Sequence, residues 1–452
     1  MFMRRFRIGY AVYEDLAAAG RAWPLFLPDF PTTFDLHCTA TVCYEDTGLK
    51  PKRIAYVQYT NPAGYPPLHH SSQILAENGW DVLFLGTGAW GADKLRFPPD
   101  ERIQVRQLRF QPAGWRQKAH YAYFHLWCLL WAIRWRPTWI YASDPLSAPF
   151  AWFATVVLRI PVVFHEHDSP ARAASSGSLA RFCSRMRIRC ARRAALGVLP
   201  NGRRADAFAA TTKCPIPPLV VWNCPRRREV APARQRCEEG RLRLLYHGSI
   251  VQERLPVAVI EALAALPEGV SLTVVGYETV GSMGYLDTLR SRAAELGISR
   301  RLETLGTLAR RELMEVCRTH DLGLSLMPLH SEDENLHAMT GASNKPFDYL
   351  ACGLAVLVSQ LSDWEEMFVR PGYGLSCDPS SPESIAAAVG QLYANPERTR
   401  AMGERGRRRI LNDWNYERQF QPVLDILSGA IRNQASHSDA TLPAKTGRAS
   451  TR

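Results

Sequence analysis

The sequence lacks the marks of several large protein classes. Its eleven cysteines form no CxxC pair and no regular spacing. That leaves neither a disulfide framework nor a zinc-ligand pattern, and it predicts reduced thiols in a cytoplasmic protein. The early arginines, Arg4, Arg5 and Arg7, are not followed by an apolar stretch and cleavage site, so no signal peptide is expected. Long hydrophobic runs are also missing. The most apolar segment, AHYAYFHLWCLLWAIRW (119–135), is interrupted by His120 and His125. Its apolar core is about fifteen residues, whereas a bilayer crossing needs roughly twenty. No internal repeat is evident. Acid is scarce in one stretch: residues 181–236 hold fourteen Lys or Arg against Asp206 and Glu229, a difference that matches the whole formal charge of +12.

What is present is ordinary globular material. The 452 residues are 46% hydrophobic and 22% charged, enough for a sizeable core and for two to three domains. No nucleic-acid motif accompanies the basic stretch. Its charge suits an anionic membrane surface or an anionic lipid-linked acceptor, and equally suits solvated helix faces. The aromatic segment, flanked by Arg116, Lys118, Arg134 and Arg136, reads either as a helix at a membrane interface or as a core helix.

Strand and helix patterns alternate. KRIAYVQY (52–59) reads as a buried strand, followed by the loop TNPAGYPP, a helix near 68–77 and the strand DVLFLG. The loop is not a GxGxxG turn, and in a parallel sheet Asn61, Ala63 and Gly64 would face the crevice beyond the strand ends. PVVFHEHD (161–168) ends a strand in ionisable residues. Alternation sends His165 and His167 to one side and Glu166 to the other. His with carboxylate suits acid–base chemistry, and no further ligand motif accompanies it, so no metal is expected.

The most informative stretch is GASNKPFDYLACG (341–353). A turn of Gly341, Ala342 and Ser343 precedes a helix expected from Pro346 to Cys352, where proline is tolerated because its missing N–H would be an orphan anyway. Gly353 stops the helix and AVLVS follows as a buried strand. A turn feeding a helix N-terminus gathers free N–H groups and a positive dipole end, which suits phosphate. Lys345 adds a mobile positive charge, and Asp348, one turn in, is placed to accept from sugar hydroxyls.

The string NKPFDYLACGLAVLVS resembles the NKxxEYMAxGxPVV signature of the retaining family 4 glycosyltransferases. The resemblance runs over roughly 52–430 in order and spacing. It implies an α/β fold of two facing Rossmann-like, doubly wound domains (GT-B) with a cleft between them. It implies transfer of a sugar from a nucleotide diphosphate donor, with retained configuration and without metal or other cofactor. The turn Gly341–Ser343 would hold the diphosphate, and Asp348 stands where the family's carboxylate binds ribose. Thr340 stands where a second Glu contacts the donor sugar, which leaves that contact open. Ser249 replaces the first basic residue of the family's GRLxxxKG element, and Arg254 falls near the second, where a guanidinium grips a diphosphate. Gly306 and Thr307, with Leu308, match the turn that touches the base. His167 and Asp168 match the strand end near donor sugar and acceptor. ALGVLPNGRRADAF (195–208) resembles the element closing the first domain.

The expected organisation is an extension (1–50), an acceptor-side domain (51–225), a linker (226–241), a donor domain (242–410), a helix crossing back (411–432) and a disordered tail (433–452). The acceptor would be a glycan or lipid-linked glycan, at the cytoplasmic side of a membrane, with no nucleic-acid partner. Two other readings stay open: a non-catalytic GT-B-fold binding protein, favoured by Thr340 and Ser249, and a nucleotide-sugar epimerase.

Overall fold

The computed structural model describes residues 52–89, 95–170, 177–233, 239–331 and 333–429. The extension 1–50, the tail from 433 and part of the expected linker lie outside them.

Two parallel sheets face each other. The first takes strands β1 (Arg53–Val57), β2 (Asp81–Thr87), β3 (Ile103–Leu108), β4 (Trp139–Ser143), β5 (Val162–His165), β6 (Leu196–Leu199) and β7 (Leu219–Val220), in the order β3-β2-β1-β4-β5-β6-β7. The second takes β8 (Leu242–Ile250), β9 (Val270–Glu278), β10 (Leu302–Leu305), β11 (Leu322–Ser325), β12 (Ala355–Ser359) and β13 (Gly374–Cys377), in the order β10-β9-β8-β11-β12-β13. Every strand pair in both sheets is parallel. Helices cover both faces of each, so strands such as AVLVS are buried throughout and read as unbroken apolar runs. The strand order reverses beside β1 and beside β8, and open α/β sheets bind ligands at such switch points.

The helices that matter below are α1 (Pro66–Glu77), α2 (Trp115–Trp135), α3 (Ala148–Phe153), α4 (Ser178–Ala191), α5 (Gly202–Thr212), α6 (Ala258–Ala265), α7 (Tyr285–Glu295), α8 (Arg310–Arg318) and α9 (Asn344–Ala351). Three more, α10 (Pro382–Tyr393), α11 (Pro396–Asn412) and α12 (Tyr416–Leu427), complete the chain. The last returns to the first sheet, where Tyr416, Phe420 and Val423 join a core with Ile54, Tyr56 and Leu68.

Three bases of the basic stretch, Arg187, Arg204 and Arg226, are not surface. Arg187 is buried in an ion pair with buried Glu166, and Arg226, 4% exposed, pairs with Glu77 and Glu417. The connecting segment is therefore anchored at its start, although its composition reads as solvated. A buried guanidinium needs carboxylates, and those come from residues distant in sequence.

Candidate active site

A cleft of about 810 Å³ lies between the two sheets. Tyr59, Asn61, Ala63 and Gly64 line it from the β1 end, with His167 and Asp168 after β5. From the second sheet come the turn His247–Gly248–Ser249, Arg254, Thr307, Leu308, Ala342, Ser343, Lys345 and Asp348.

The floor beneath Lys345 is built from glycine. Gly248 and Gly276 sit opposite each other at the ends of β8 and β9. Gly276 has φ +150, and a Cβ there would lie 1.9 Å from the carbonyl oxygen of Gly248. Gly248 has φ +113, and a Cβ there would stand 3.1 Å from Lys345 Nζ. Backbone thus reaches the cleft with no side chain in the way.

Lys345 differs from its expected state. It lies inside α9, 6% exposed, with its ammonium 5.3 Å from the centre of the Tyr246 ring. Among the described residues it makes no ion pair or hydrogen bond. Burial, then repulsion from Arg254, holds it well below the usual ammonium range. Arg254 likewise has no carboxylate partner among the described residues, and its buried Nε has no hydrogen-bond acceptor. Two cations with no ion-pair partner among the described residues, beside a glycine floor, could seat an anion.

Asp348 also differs. It is 1% exposed, and both its oxygens accept from Arg310, each at 2.7 Å. Arg310 donates in turn to Glu229 at 2.8 Å, and Glu229 lies 3.0 Å from His70 Nε2. Although burial opposes ionisation, Arg310 and His70 keep Glu229 well below the ordinary carboxylate range. Rather than standing free, Asp348 is the end of a buried network running through the connecting segment to α1. A carboxylate has about four lone-pair sites, so this pairing leaves Asp348 able to accept from a ligand hydroxyl.

The turn before α9 is not an amide cradle. The N–H groups of Ala342 and Ser343 both donate to the carbonyl of Met339, at 3.0 and 2.9 Å. Gly341, φ +77, faces away from the cleft: a Cβ there would strike Trp222 and the carbonyl of Pro200. Its own carbonyl accepts from Asn223 N–H at 2.8 Å. The glycine is needed for packing between the two halves. Gly306 is exposed and does not line the cleft, whereas Thr307 and Leu308 do.

On the opposite wall, His167 is buried and its ring lies 3.8 Å from that of His165. Burial, then Arg204, pushes its pKa down to about 3, so the imidazole is neutral near pH 7. Its Nε2 is buried without a protein partner. Asp168 is more exposed and lies 3.6 Å from Arg204. The alternation expected along this strand is present: Glu166 turns away to Arg187.

Several residues escaped the sequence reading. Arg204 donates to the carbonyls of Ala338, Asn335 and His167, bolting α5 to the loop before α9. Asn201 caps α5 through the Arg204 N–H and donates to Ala338, which explains the spacing of the PNxxR element. Arg310 carried a signal: a cation on the first turn of a helix opposes the dipole unless carboxylates claim it. Asp144 did not. It sits after β4 at φ +64, accepts from His167 N–H at 2.9 Å, and burial followed by Asp168 raises it to about 7. Among the described residues no group of three or more His, Cys, Asp or Glu is arranged to hold a metal ion.

Comparison with known proteins places this geometry. Residues 68–234 match a family described as glycosyl transferase 4-like domain, and residues 254–425 match one described as glycosyl transferase-like. The chain is 24% identical over 427 residues to a glycogen synthase of Mycobacterium tuberculosis, covering 81% of this chain and 97% of that protein. It is 28% identical over 171 residues to a GDP-mannose-dependent alpha-(1-6)-phosphatidylinositol monomannoside mannosyltransferase of Mycolicibacterium smegmatis, covering 38% of this chain but only 44% of that protein. Among solved structures, the Anabaena HepE protein in complex with UDP and glucose superposes with a TM-score of 0.63 at 16% identity, over 84% of this chain and all 100% of that one. Sucrose-phosphate synthase of Thermosynechococcus elongatus gives 0.62 at 16% identity, over 86% and 100%. At that identity the superpositions speak for the GT-B fold alone. With a glycosyl transferase domain on each side of one cleft, the chain is a two-domain glycosyltransferase of the group 1 type.

Proposed function

We propose that the chain transfers a sugar from a nucleoside diphosphate sugar to an acceptor hydroxyl in glycan biosynthesis, with the diphosphate seated on Lys345 and Arg254. The observation that carries this reading is the pair of cations without carboxylate partners, converging on the Gly248–Gly276 floor at a sheet switch point. The acceptor oxygen bonds to the anomeric carbon as the bond to the β-phosphate oxygen breaks. The acceptor proton passes to the leaving diphosphate. Negative charge grows on that diphosphate, and fixed cations in a closed cleft stabilise it without reorganising. Thr307 and Leu308 stand where a base would lie, and Asp348 offers its remaining acceptor sites to the ribose. Neutral His167 presents Nε2 to a hydroxyl of the sugar or acceptor, beside Asp168. No metal or cofactor is part of this scheme, and retention of configuration is part of it. A relative is named for glycogen synthesis and another for a lipid-linked mannosyl product. The acceptor is accordingly a glycan or a lipid-linked glycan, met at the cytoplasmic face of a membrane.

Thermal-shift screening against UDP-, GDP-, ADP- and TDP-sugars tests the donor, because a ligand that binds only the folded state raises apparent stability. A selective shift abolished by Lys345→Ala supports the assignment. Shifts that survive Lys345→Ala and Arg254→Ala together would remove it. The anomeric configuration of the product, read by NMR coupling, tests retention.

A further inference from the structure

Helix α2 has two faces with different occupants. Gln117, Tyr121, Phe124, Cys128 and Ala132 point inward, and Gln117 and His120 line the cleft. His120 is held there by the Tyr59 hydroxyl at 2.8 Å. The outward face is apolar yet uncovered: Tyr123, Leu126, Leu130 and Ile133 are each more than half exposed, and Trp115 is 72% exposed at the helix start. The neighbouring elements expose apolar side chains as well. Val156 and Val157, on the turn after α3, and Phe182 on α4 are exposed too, and these elements share the core on which α2 packs.

The segments that carry the stripe hold charge of one sign only. Residues 115–135, 148–158 and 178–191 contain seven Lys or Arg and no Asp or Glu. Of these Arg187 is buried against Glu166, and Arg116, Lys118, Arg134, Arg185 and Arg189 are exposed, as is Arg181, which has a partner of its own. An exposed apolar stripe on segments that carry cations and no carboxylate complements a surface that is apolar beneath and anionic on top. A protein partner would have to supply many unpaired carboxylates around an apolar ridge. A bilayer with anionic headgroups supplies both at once. No helix among the described residues is long and apolar enough to cross a membrane, so the contact lies in the interface plane.

We propose that the outer face of α2, with Val156, Val157 and Phe182, docks on an anionic lipid bilayer and sets the Gln117–His120 end of the cleft against it. The segment Phe110–Ala113, which leads into α2, also lines the cleft. The acceptor reaches the cleft from the bilayer side, with its lipid portion left in the membrane. That last statement rests on the glycosyl-transfer reading, whereas the docking itself does not.

The test is sedimentation of the full chain with large vesicles of phosphatidylcholine alone or with 30% (mole fraction, roughly) phosphatidylglycerol, an anionic content that gives a strong surface potential. The expected result is binding to the anionic vesicles at low salt, weakened but not abolished by high salt, and little binding to neutral ones. Each base near an anionic surface contributes about five-fold in partitioning. Arg181→Ser with Arg185→Ser and Arg189→Ser should therefore lower binding by at least about ten-fold, while Leu126→Gln with Leu130→Gln and Ile133→Gln removes the salt-resistant part. Melting temperature and nucleoside diphosphate binding should stay as in wild type in both variants, which separates failure of docking from failure of the transfer site. Absence of binding to anionic vesicles at low salt overturns the proposal. Equal binding to neutral vesicles, or a wild-type dimer that becomes monomeric in the leucine variant, overturns it as well.

Discussion

Replacing Lys345 by methionine separates the needs of the fold from those of the donor. The lysine is 6% exposed, lies over a tyrosine ring, and has no carboxylate partner among the described residues. Methionine keeps the length and flexibility of the side chain, so no large cavity opens. It removes an ammonium that burial and Arg254 both disfavour. Relief of a buried, unpaired charge is worth about 1–2 kcal/mol. In a domain of about 150–250 residues that raises the melting temperature by roughly 2–4 °C per kcal/mol. The sign with pH follows from the depressed lysine. Between its lowered value and the ordinary value of about 10.4, the unfolded chain binds more protons than the folded one, so wild-type stability rises with pH. The advantage of the variant should shrink as pH climbs through that window. Donor binding should move the other way. Losing a hydrogen bond from a charged group costs about 1.5–3 kcal/mol, or roughly 10- to 150-fold in affinity. Differential scanning fluorimetry from pH 6 to 10 and calorimetric titration with the preferred nucleoside diphosphate read both effects. A variant that melts lower than wild type and binds the nucleotide equally well would mean that Lys345 serves the fold and not the donor.

Gly248→Ala should lose about 1–3 kcal/mol of stability through its positive φ and should also displace Lys345, so nucleotide affinity falls with melting temperature. Arg310→Ala strands Asp348 and Glu229 as buried carboxylates and should cost about 3–5 kcal/mol, seen as a lower urea midpoint. His167→Ala should reduce transfer, and because the ring is buried it should also cost about 1–3 kcal/mol of stability, seen as a lower melting temperature. The wild-type rate should show no limb near pH 6.5 from this imidazole, whose pKa is about 3. Asp144→Asn should stabilise the protein at neutral pH. The native carboxyl titrates at about 7, so the folded state holds a proton that the unfolded state has lost, and this group's contribution falls as pH rises from about 4 to 7. Flattening of stability against pH in that range, measured by fluorimetry, checks the sign.

The alternation of apolar runs with Gly- and Pro-rich turns was enough to read parallel α/β structure, because buried parallel strands leave unbroken apolar segments such as AVLVS, whereas the pair of facing domains was implied by the family resemblance. The stretch 341–353 marked one wall of the cleft for the same reason: Gly353 ends the helix at φ +74 and proline stands in its first turn. What stayed hidden depends on pairing across long sequence distance. Nothing local shows that Arg310 claims Asp348, or that Gly341 serves Trp222 instead of a phosphate. The Ala342 and Ser343 amides looked free because their acceptor, the Met339 carbonyl, is fixed only by the backbone path of the turn. The basic stretch looked like one surface because charge counts do not distinguish exposed Arg185 from buried Arg187. The inward-pointing Gln117 and His120 follow from helical spacing once Phe124 and Cys128 are known to be core.

We propose the diphosphate of a sugar donor to sit on Lys345 and Arg254, two cations without an ion-pair partner among the described residues. A crystal structure of the protein soaked with the nucleoside diphosphate selected by thermal shift tests it most directly. Diphosphate oxygens should then lie within hydrogen-bonding distance of Lys345 Nζ and the Arg254 guanidinium, above the Gly248–Gly276 floor, with the base beside Thr307. A nucleotide bound with its phosphates on the Arg204 side of the cleft, away from Lys345 and Arg254, would contradict it.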